Sequence, residues 1–201
     1  PLPEDFIKRI NADSFWPDNL IEAMNEDPPV SIRLNPLKKN RKDTNLESVP
    51  WNENGHYLPK RPIFTLDPLF HAGCYYPQEA GSMAIEFILN ELSISKKSTI
   101  LDLCAAPGGK STLISSWLED DGFLVSNEII PNRNSILREN LTKWGAVNSV
   151  VTCNQPKHFQ ELPSFFDVVL VDAPCSGEGM FRKDPDSRNE WSLKNVDLCA
   201  D

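Results

Sequence analysis

Thr99-Ile-Leu-Asp-Leu-Cys-Ala-Ala-Pro-Gly-Gly-Lys-Ser-Thr112 is the most informative segment of this chain. Its first five residues are mostly apolar, which predicts a buried strand, and residues 110–118 have the pattern of a helix. The Ala-Ala-Pro-Gly-Gly sequence between them predicts a tight turn. Such a turn lets the backbone approach a ligand, which the free N–H groups at the start of the helix can bind. The stretch therefore predicts a ligand-binding turn.

The second half of the chain alternates short apolar runs with helical patterns. Strands are predicted over residues 99–103, 122–127, 149–153 and 166–171, with helices over 110–118 and 132–144. This order predicts an α/β fold with a parallel sheet covered on both faces.

The first third of the chain is rich in proline and has a different pattern. Residues 30–35 alternate apolar and polar side chains, which predicts a strand with Val30, Ile32 and Leu34 facing inward. We predict a small α+β domain over residues 1–72, followed by the sheet domain over residues 73–201.

Composition limits the class of protein. The chain has 201 residues, 40% of them hydrophobic, and no apolar run long enough to span a membrane. Its five cysteines form no Cys-x-x-Cys pair, which favours a reducing cytoplasm over disulfides or a zinc site. We therefore expect a cytoplasmic protein that binds no metal and no membrane.

Charge is unevenly distributed. The net charge of −9 is unlike that of a general nucleic-acid binder. Basic residues nevertheless cluster in the first third, at Arg33, Lys38, Lys39, Arg41, Lys42, Lys60 and Arg61. A solvated face and a phosphate-binding stripe are equally compatible with this cluster.

Four interpretations of the turn compete. A dinucleotide site needs G-x-G-x-x-G, but the turn offers only Gly108-Gly109, and a P-loop needs a glycine where Cys104 stands. The S-adenosylmethionine site of a class I methyltransferase needs an acidic residue at the end of the next strand. In the fourth interpretation, the turn is a close-packed connection without a ligand.

Polar residues end the predicted strands, where ligands of open parallel sheets bind. They are Asp102, Glu128, Asn154 and Asp172. Glu128 follows Gly109 by 19 residues, close to the spacing at which an acid holds ribose hydroxyls. Asn154 could pair with an adenine edge. Cys175, in Asp172-Ala-Pro-Cys-Ser-Gly-Glu-Gly179, is a candidate reactive thiol beside a carboxylate.

These motifs resemble the Sun-type RNA cytosine-5 methyltransferases, which use S-adenosylmethionine. The resemblance is carried by residues 102–111 and 172–177, and also by residues 31–36 and 75–80. Residues 64–73 and 177–185 are most similar to the bacterial small-subunit ribosomal RNA methyltransferase F type. The resemblance implies a class I, Rossmann-like methyltransferase sheet, an RNA-binding type of amino-terminal domain and a ribosomal RNA substrate. A monomer is expected.

The resemblance also implies roles for individual residues. The methionine and ribose portions of the cofactor would be held by Cys104, Ala105, Ala106, Pro107, Gly108, Gly109 and Lys110. Glu128 would bind the ribose hydroxyls. Asn154 would bind the adenine, at a position where many relatives carry Asp. Asp172 would face both cofactor and target base, and Cys175 would assist release of the methylated RNA.

In this family the attacking cysteine belongs to a later Thr-Cys motif. The one Thr-Cys pair in this sequence is Thr152-Cys153, which ends a different strand. We therefore expect a chain that is truncated within the catalytic domain and inactive by itself, with an incomplete sheet. Two alternatives stay open: a cytosine-5 methyltransferase with Cys175 as nucleophile, and a non-catalytic RNA-binding module.

Overall fold

The computed structural model describes residues 1–38 and 45–200, so the basic residues Lys39, Arg41 and Lys42 lie outside the described residues. The helices are α1 (Glu4–Ala12), α2 (Leu20–Ala23), α3 (Pro68–His71), α4 (Ala80–Glu91), α5 (Gly109–Trp117), α6 (Pro131–Trp144), α7 (Ser187–Glu190) and α8 (Leu193–Ala200). The strands are β1 (Val30–Leu34), β2 (Gly55–Leu58), β3 (Tyr75–Pro77), β4 (Thr99–Asp102), β5 (Phe123–Asn127), β6 (Ser149–Thr152) and β7 (Val168–Leu170). Short 3-10 turns cover Phe64–Leu66, Pro156–Glu161 and Glu178–Met180.

The chain forms two compact units. The larger unit is Pro29–Asp172, and the smaller unit combines Pro1–Pro28 with Ala173–Asp201. The predicted domain boundary between residues 72 and 73 falls inside the larger unit and stays a prediction. Within the described part of the chain, no helix has the length and apolar character needed to cross a membrane.

A parallel sheet is the centre of the larger unit and confirms the predicted α/β class. Its strand order is β6-β5-β4-β7, and every neighbouring pair is parallel. The inner strands are buried except for their first residues, with Ile100 and Leu124 at 0% exposure and Phe123 at 38%. Val150 on β6 and Val169 on β7 are 41% and 51% exposed, so the predicted coverage of both faces is incomplete at the two outer strands.

A second, antiparallel sheet has the order β2-β1-β3. The predicted burial of β1 is wrong in part. Ser31 and Arg33 are buried along with Ile32, whereas Val30 and Leu34 are only half-buried. The reason is that the polar face of β1 is also covered: Ser31 donates to the carbonyl of Gln78, and Arg33 packs against the start of α5.

The smaller unit has its own apolar core. Phe6 on α1 packs edge-to-face against Phe181 and Trp191, with ring centroids 5.2 and 5.9 Å away. The carboxylate of Glu178 accepts hydrogen bonds from Ser176 and from the indole of Trp191. The segment that follows Pro174 is thereby tied to this core.

Candidate cofactor site at the carboxyl ends of the parallel strands

The predicted ligand-binding turn, called the glycine turn below (residues 104–110), connects β4 to α5. Both neighbouring strands hold the connection. The N–H of Leu103 donates to the carbonyl of Leu170 at 2.9 Å, and the N–H of Ala105 donates to the carbonyl of Asn127 at 2.8 Å. The turn is therefore fixed to the sheet on both sides.

Gly108 has a backbone conformation that favours glycine, with φ at +111°. A Cβ atom there would lie 3.2 Å from Cδ1 of Leu137. Gly108 also caps α5, and no side chain makes a capping hydrogen bond. The first N–H groups of α5, at Gly109, Lys110 and Ser111, are consequently directed at the space before the helix and can donate to an acceptor there.

Asp102 ends β4 and is completely buried. Its Oδ2 accepts a 2.7 Å hydrogen bond from Ser111, but its Oδ1 has no donor among the described residues. Burial raises the pKa of Asp102 to about 6; the charge of Asp172 adds to this rise, while Ser111 and Lys110 oppose it. An unpaired buried carboxylate oxygen is costly, and a ligand with an N–H donor would satisfy it.

Lys110 and Asp172 form an ion pair that joins the start of α5 to the end of β7. The side chain of Asp172 remains exposed in this pair. Burial raises the pKa of the Cys104 thiol, and the nearby charges of Glu128, Asp102 and Asp172 raise it further. These carboxylates therefore converge around one thiol at the edge of the sheet.

Glu128 follows β5 and is only 3% exposed. Its Oε1 accepts from the N–H of Ile130 at 2.9 Å, and its Oε2 lies 3.6 Å from a guanidinium nitrogen of Arg133. Arg133 also donates to the carbonyl of Ala106 at 3.0 Å, so it links Glu128 to the glycine turn. A carboxylate has about four acceptor positions, so Glu128 can still accept from a ligand.

Asn154 follows β6 and is exposed. Its backbone N–H and carbonyl are both bonded to the side chain of Asn127, at 2.9 and 3.0 Å. The same Asn127 amide donates to the carbonyl of Leu103, and Asn127 itself is buried. The side-chain amide of Asn154 makes no hydrogen bond to any described residue and is available to a ligand.

The predicted site residues of the larger unit meet at one edge of the sheet. They are Cys104, Ala105, Ala106, Pro107, Gly108, Gly109, Lys110, Glu128, Asn154 and Asp172. Cys175 is exposed and belongs to the smaller unit. All five cysteines are free thiols.

Sequence reasoning missed two polar residues that organise this edge. Asn127 is the last residue of β5, and its position beside Glu128 is a signal that could have identified it. Arg133 carries no such signal, because an arginine in the first turns of a helix usually faces solvent.

Arg33 was also missed as a buried residue. It is 2% exposed, and it donates to Gln78 Oε1 at 2.7 Å and to Thr112 Oγ1 at 2.6 Å. Its guanidinium also donates to the carbonyl of Gly109 and lies 4.4 Å from the ring centroid of Trp144. Burial lowers the pKa of Arg33 to about 9. The antiparallel sheet thus holds the first turn of α5 through a buried cation.

The sheet, the glycine turn and the polar strand ends together define the fold of the class I methyltransferases. Two family models match the chain: 16S rRNA methyltransferase RsmB/F over residues 89–201, and the N-terminal domain of 16S rRNA methyltransferase RsmF over residues 2–80. The chain belongs to the RsmB/F methyltransferase family.

Individual relatives agree with this assignment. The chain is 35% identical over 216 residues to ribosomal RNA small subunit methyltransferase F of Shewanella sediminis, covering 100% of this chain and 45% of the relative. It is 36% identical over 217 residues to the protein of the same name from Vibrio cholerae, covering 99% of this chain and 45% of the relative. The structure of a methyltransferase homologue from Pyrococcus horikoshii has a TM-score of 0.70 and 29% identity, covering 90% of this chain and 66% of that one. The chain thus spans about 45% of the length of the curated relatives.

Proposed function

We propose that this chain binds S-adenosylmethionine at the glycine turn and takes part in methyl transfer to C5 of a cytosine in ribosomal RNA. The unpaired Oδ1 of buried Asp102 carries the proposal. Ser111, in the first turn of α5, donates to the other oxygen of the same carboxylate, which places the Asp102 carboxylate beside the start of this helix. The methionine portion of the cofactor offers an ammonium group for the unpaired oxygen and a carboxylate for the N–H groups, so it fits both.

Each remaining site residue has a role in holding the cofactor. Residues 104–110 line the methionine and ribose portions, and Glu128 accepts from the ribose hydroxyls. Asn154 pairs with the adenine edge through its unbonded amide. Asp172, exposed beyond its ion pair with Lys110, faces the cofactor and the target base.

The chemistry explains why a thiol and an acid are needed. S-adenosylmethionine supplies a methyl group on a sulfonium, but C5 of cytosine is a weak nucleophile. Addition of a thiolate to C6 makes C5 enamine-like, and an acid near N3, here assigned to Asp172, stabilises the adduct. After methyl transfer the C5 proton leaves and the thiol is expelled, a step that Cys175 assists. A ribosomal RNA substrate places this reaction in the cytoplasm.

The attacking thiol is not assigned to either cysteine of the parallel-sheet edge. The raised pKa of Cys104 disfavours its thiolate. Cys153, in the one Thr-Cys pair, lies just beyond β6, with its sulfur 3.6 Å from the carbonyl of Ile129. In this proposal the chain by itself binds the cofactor but does not catalyse methyl transfer. The second candidate function is a methyltransferase with Cys175 as its nucleophile, because Cys175 is exposed and follows Pro174.

Competition binding tests the cofactor assignment. Equilibrium dialysis with radiolabelled S-adenosylmethionine is expected to show saturable binding that S-adenosylhomocysteine displaces. ATP and NAD should not displace it, since the turn lacks the glycines of their fingerprints. Displacement by ATP or NAD, with none by S-adenosylhomocysteine, would refute the assignment.

Covalent trapping tests the assignment of the thiol. RNA containing 5-fluorocytosine retains the adduct, because the fluorine at C5 cannot leave as a proton does. We expect no denaturant-resistant complex of this chain with such RNA in the presence of S-adenosylmethionine. A complex that disappears in Cys175→Ser, but persists in Cys153→Ser, would make Cys175 the nucleophile and overturn its assigned role in release.

A further inference from the structure

A concave surface lies on the outer side of α6, and none of the residues that line it belongs to the proposed cofactor site. Its volume is about 690 Å³, and the residues that line it are His71, Ser135, Arg138, Glu139, Thr142 and Lys143. We call it the basic concavity. Two permanent cations and one acid line it in a chain whose net charge is −9, so its local charge opposes that of the whole chain.

A stripe of two aromatic rings with a cation at each end continues from the basic concavity. The ammonium of Lys143 lies 4.3 Å from the ring centroid of Phe70, and that ring is 6.4 Å from the ring of Phe64. The guanidinium carbon of Arg61 lies 5.6 Å from the centroid of Phe64. The stripe therefore joins a basic residue of the sequence cluster to α6.

Among residues 1–38 and 45–200, the cations of this surface have no carboxylate partners. Among the described residues, no ion pair within 4.0 Å involves Arg61, Arg138 or Lys143, whereas Lys97 and Lys110 are each paired with an aspartate. An unpaired cation can bind a phosphate without first breaking an internal ion pair.

The same helix contacts the glycine turn. Asn140 donates a 2.8 Å hydrogen bond to the carbonyl of Pro107, and Leu137 packs against Gly108. The residues between these two contacts, Arg138 and Glu139, line the basic concavity. A strand held in the concavity would therefore pass along the helix that supports the cofactor site.

We propose that the basic concavity, with its stripe from Arg61 to Lys143, binds the phosphate backbone of the RNA beside the target nucleotide. The proposal rests on the proposed function, which makes RNA the substrate. Arg and Lys pair with phosphates, and the rings of Phe64 and Phe70 provide an apolar floor beneath the ribose and bases.

Charge reversal with a matched control tests this surface. The test variant is Arg138→Glu/Lys143→Glu, and the control is Lys97→Glu/Lys194→Glu, which changes the net charge equally at exposed residues. The measurement is fluorescence anisotropy of a labelled single-stranded RNA. We expect the test variant to weaken RNA binding at least about tenfold and to flatten the dependence of log K on log salt by about one to two.

The control should change RNA affinity less than about threefold, because Lys97 and Lys194 do not line the basic concavity. The exposed ion pair of Lys97 with Asp121 contributes little to folding. The milder variant Arg138→Gln/Lys143→Gln should give an intermediate loss. Thermal unfolding and S-adenosylmethionine binding should match wild type in every variant, which separates failure of this surface from failure of the cofactor site. Equal loss in test and control variants, or no RNA binding by the wild-type chain, would overturn the proposal.

Discussion

The hydroxyl of Ser111 donates a 2.7 Å hydrogen bond to one oxygen of buried Asp102, whose other oxygen has no donor among the described residues. Replacement by Asn removes a buried charge but keeps an acceptor for Ser111. We expect Asp102→Asn to raise the free energy of unfolding at pH 7.5 by about 1–3 kcal/mol. The same change should weaken S-adenosylmethionine binding at least about tenfold, because the amide cannot pair with an ammonium.

Urea unfolding and calorimetric titration measure the two effects of Asp102→Asn. Ser111→Ala serves as the control, because it leaves the carboxylate charged and should lower stability rather than raise it. A less stable Asp102→Asn that binds the cofactor as tightly as wild type would contradict the role given to this carboxylate.

The raised pKa of Asp102 predicts how stability changes with pH. Burial raises this pKa from 3.8 to about 6, so between these values the native state binds more protons than the unfolded state. The contribution of Asp102 to stability should therefore grow as the pH falls from about 6 towards 4, and it should be lost as the pH rises through 6. Cofactor affinity should change in the opposite direction, since binding uses the charged form.

The difference between wild type and Asp102→Asn isolates this contribution from those of the other acids. Urea unfolding of both proteins from pH 4 to pH 7.5 gives the difference curve. A difference that does not vary with pH would mean that Asp102 titrates normally in the native state.

The buried contacts of Arg33 predict that its replacement will strongly destabilise the fold. Arg33→Met should lower the free energy of unfolding by about 2–4 kcal/mol, because Gln78 and Thr112 lose a buried donor. Arg33→Lys should recover only part of this loss, since an ammonium cannot reproduce the planar fork over Trp144. Urea unfolding is the measurement, and full stability in Arg33→Lys would show that charge alone suffices.

Substitution by alanine should have opposite effects on stability at Gly108 and at Gly81. Gly108→Ala places a side chain at a φ of +111° and against Leu137, so it should cost about 1–3 kcal/mol and weaken cofactor binding. Gly81→Ala, in α4 with no atom within 4 Å of the new Cβ, should stabilise the protein by about 0.5–1 kcal/mol. Thermal unfolding of both variants tests the contrast; equal effects would mean that the turn has no special conformation.

The parallel sheet and the polar strand ends could be predicted from the sequence, because hydrophobic periodicity and strand-end position are local properties. The pattern of residues 99–112 matched the observed β4 and α5 to within two residues. Glu128 and Asp172 could be assigned to the same edge of the sheet, because all strands are parallel.

The polar supports of the site could not be predicted in the same way. Arg33 looked like a solvent-facing residue because it alternates with apolar neighbours, and its burial depends on α5, which lies 76 residues away at Gly109. The double hydrogen bond of Asn127 to the backbone of Asn154 likewise joins distant residues. Contacts between elements that are remote in sequence leave no periodic signal.

Calorimetric titration of the folded chain with S-adenosylmethionine shows whether the glycine turn and Glu128 form a cofactor site. Folding is established first by a cooperative thermal transition. We predict saturable binding with one site, at least about tenfold weaker in Glu128→Ala, since this removes the buried carboxylate that we propose accepts from the ribose. The matched control Asp121→Ala, an exposed acid paired with Lys97, should bind as wild type does. No binding by the folded wild-type chain, or equal affinity in Glu128→Ala, would rule out the proposed cofactor site.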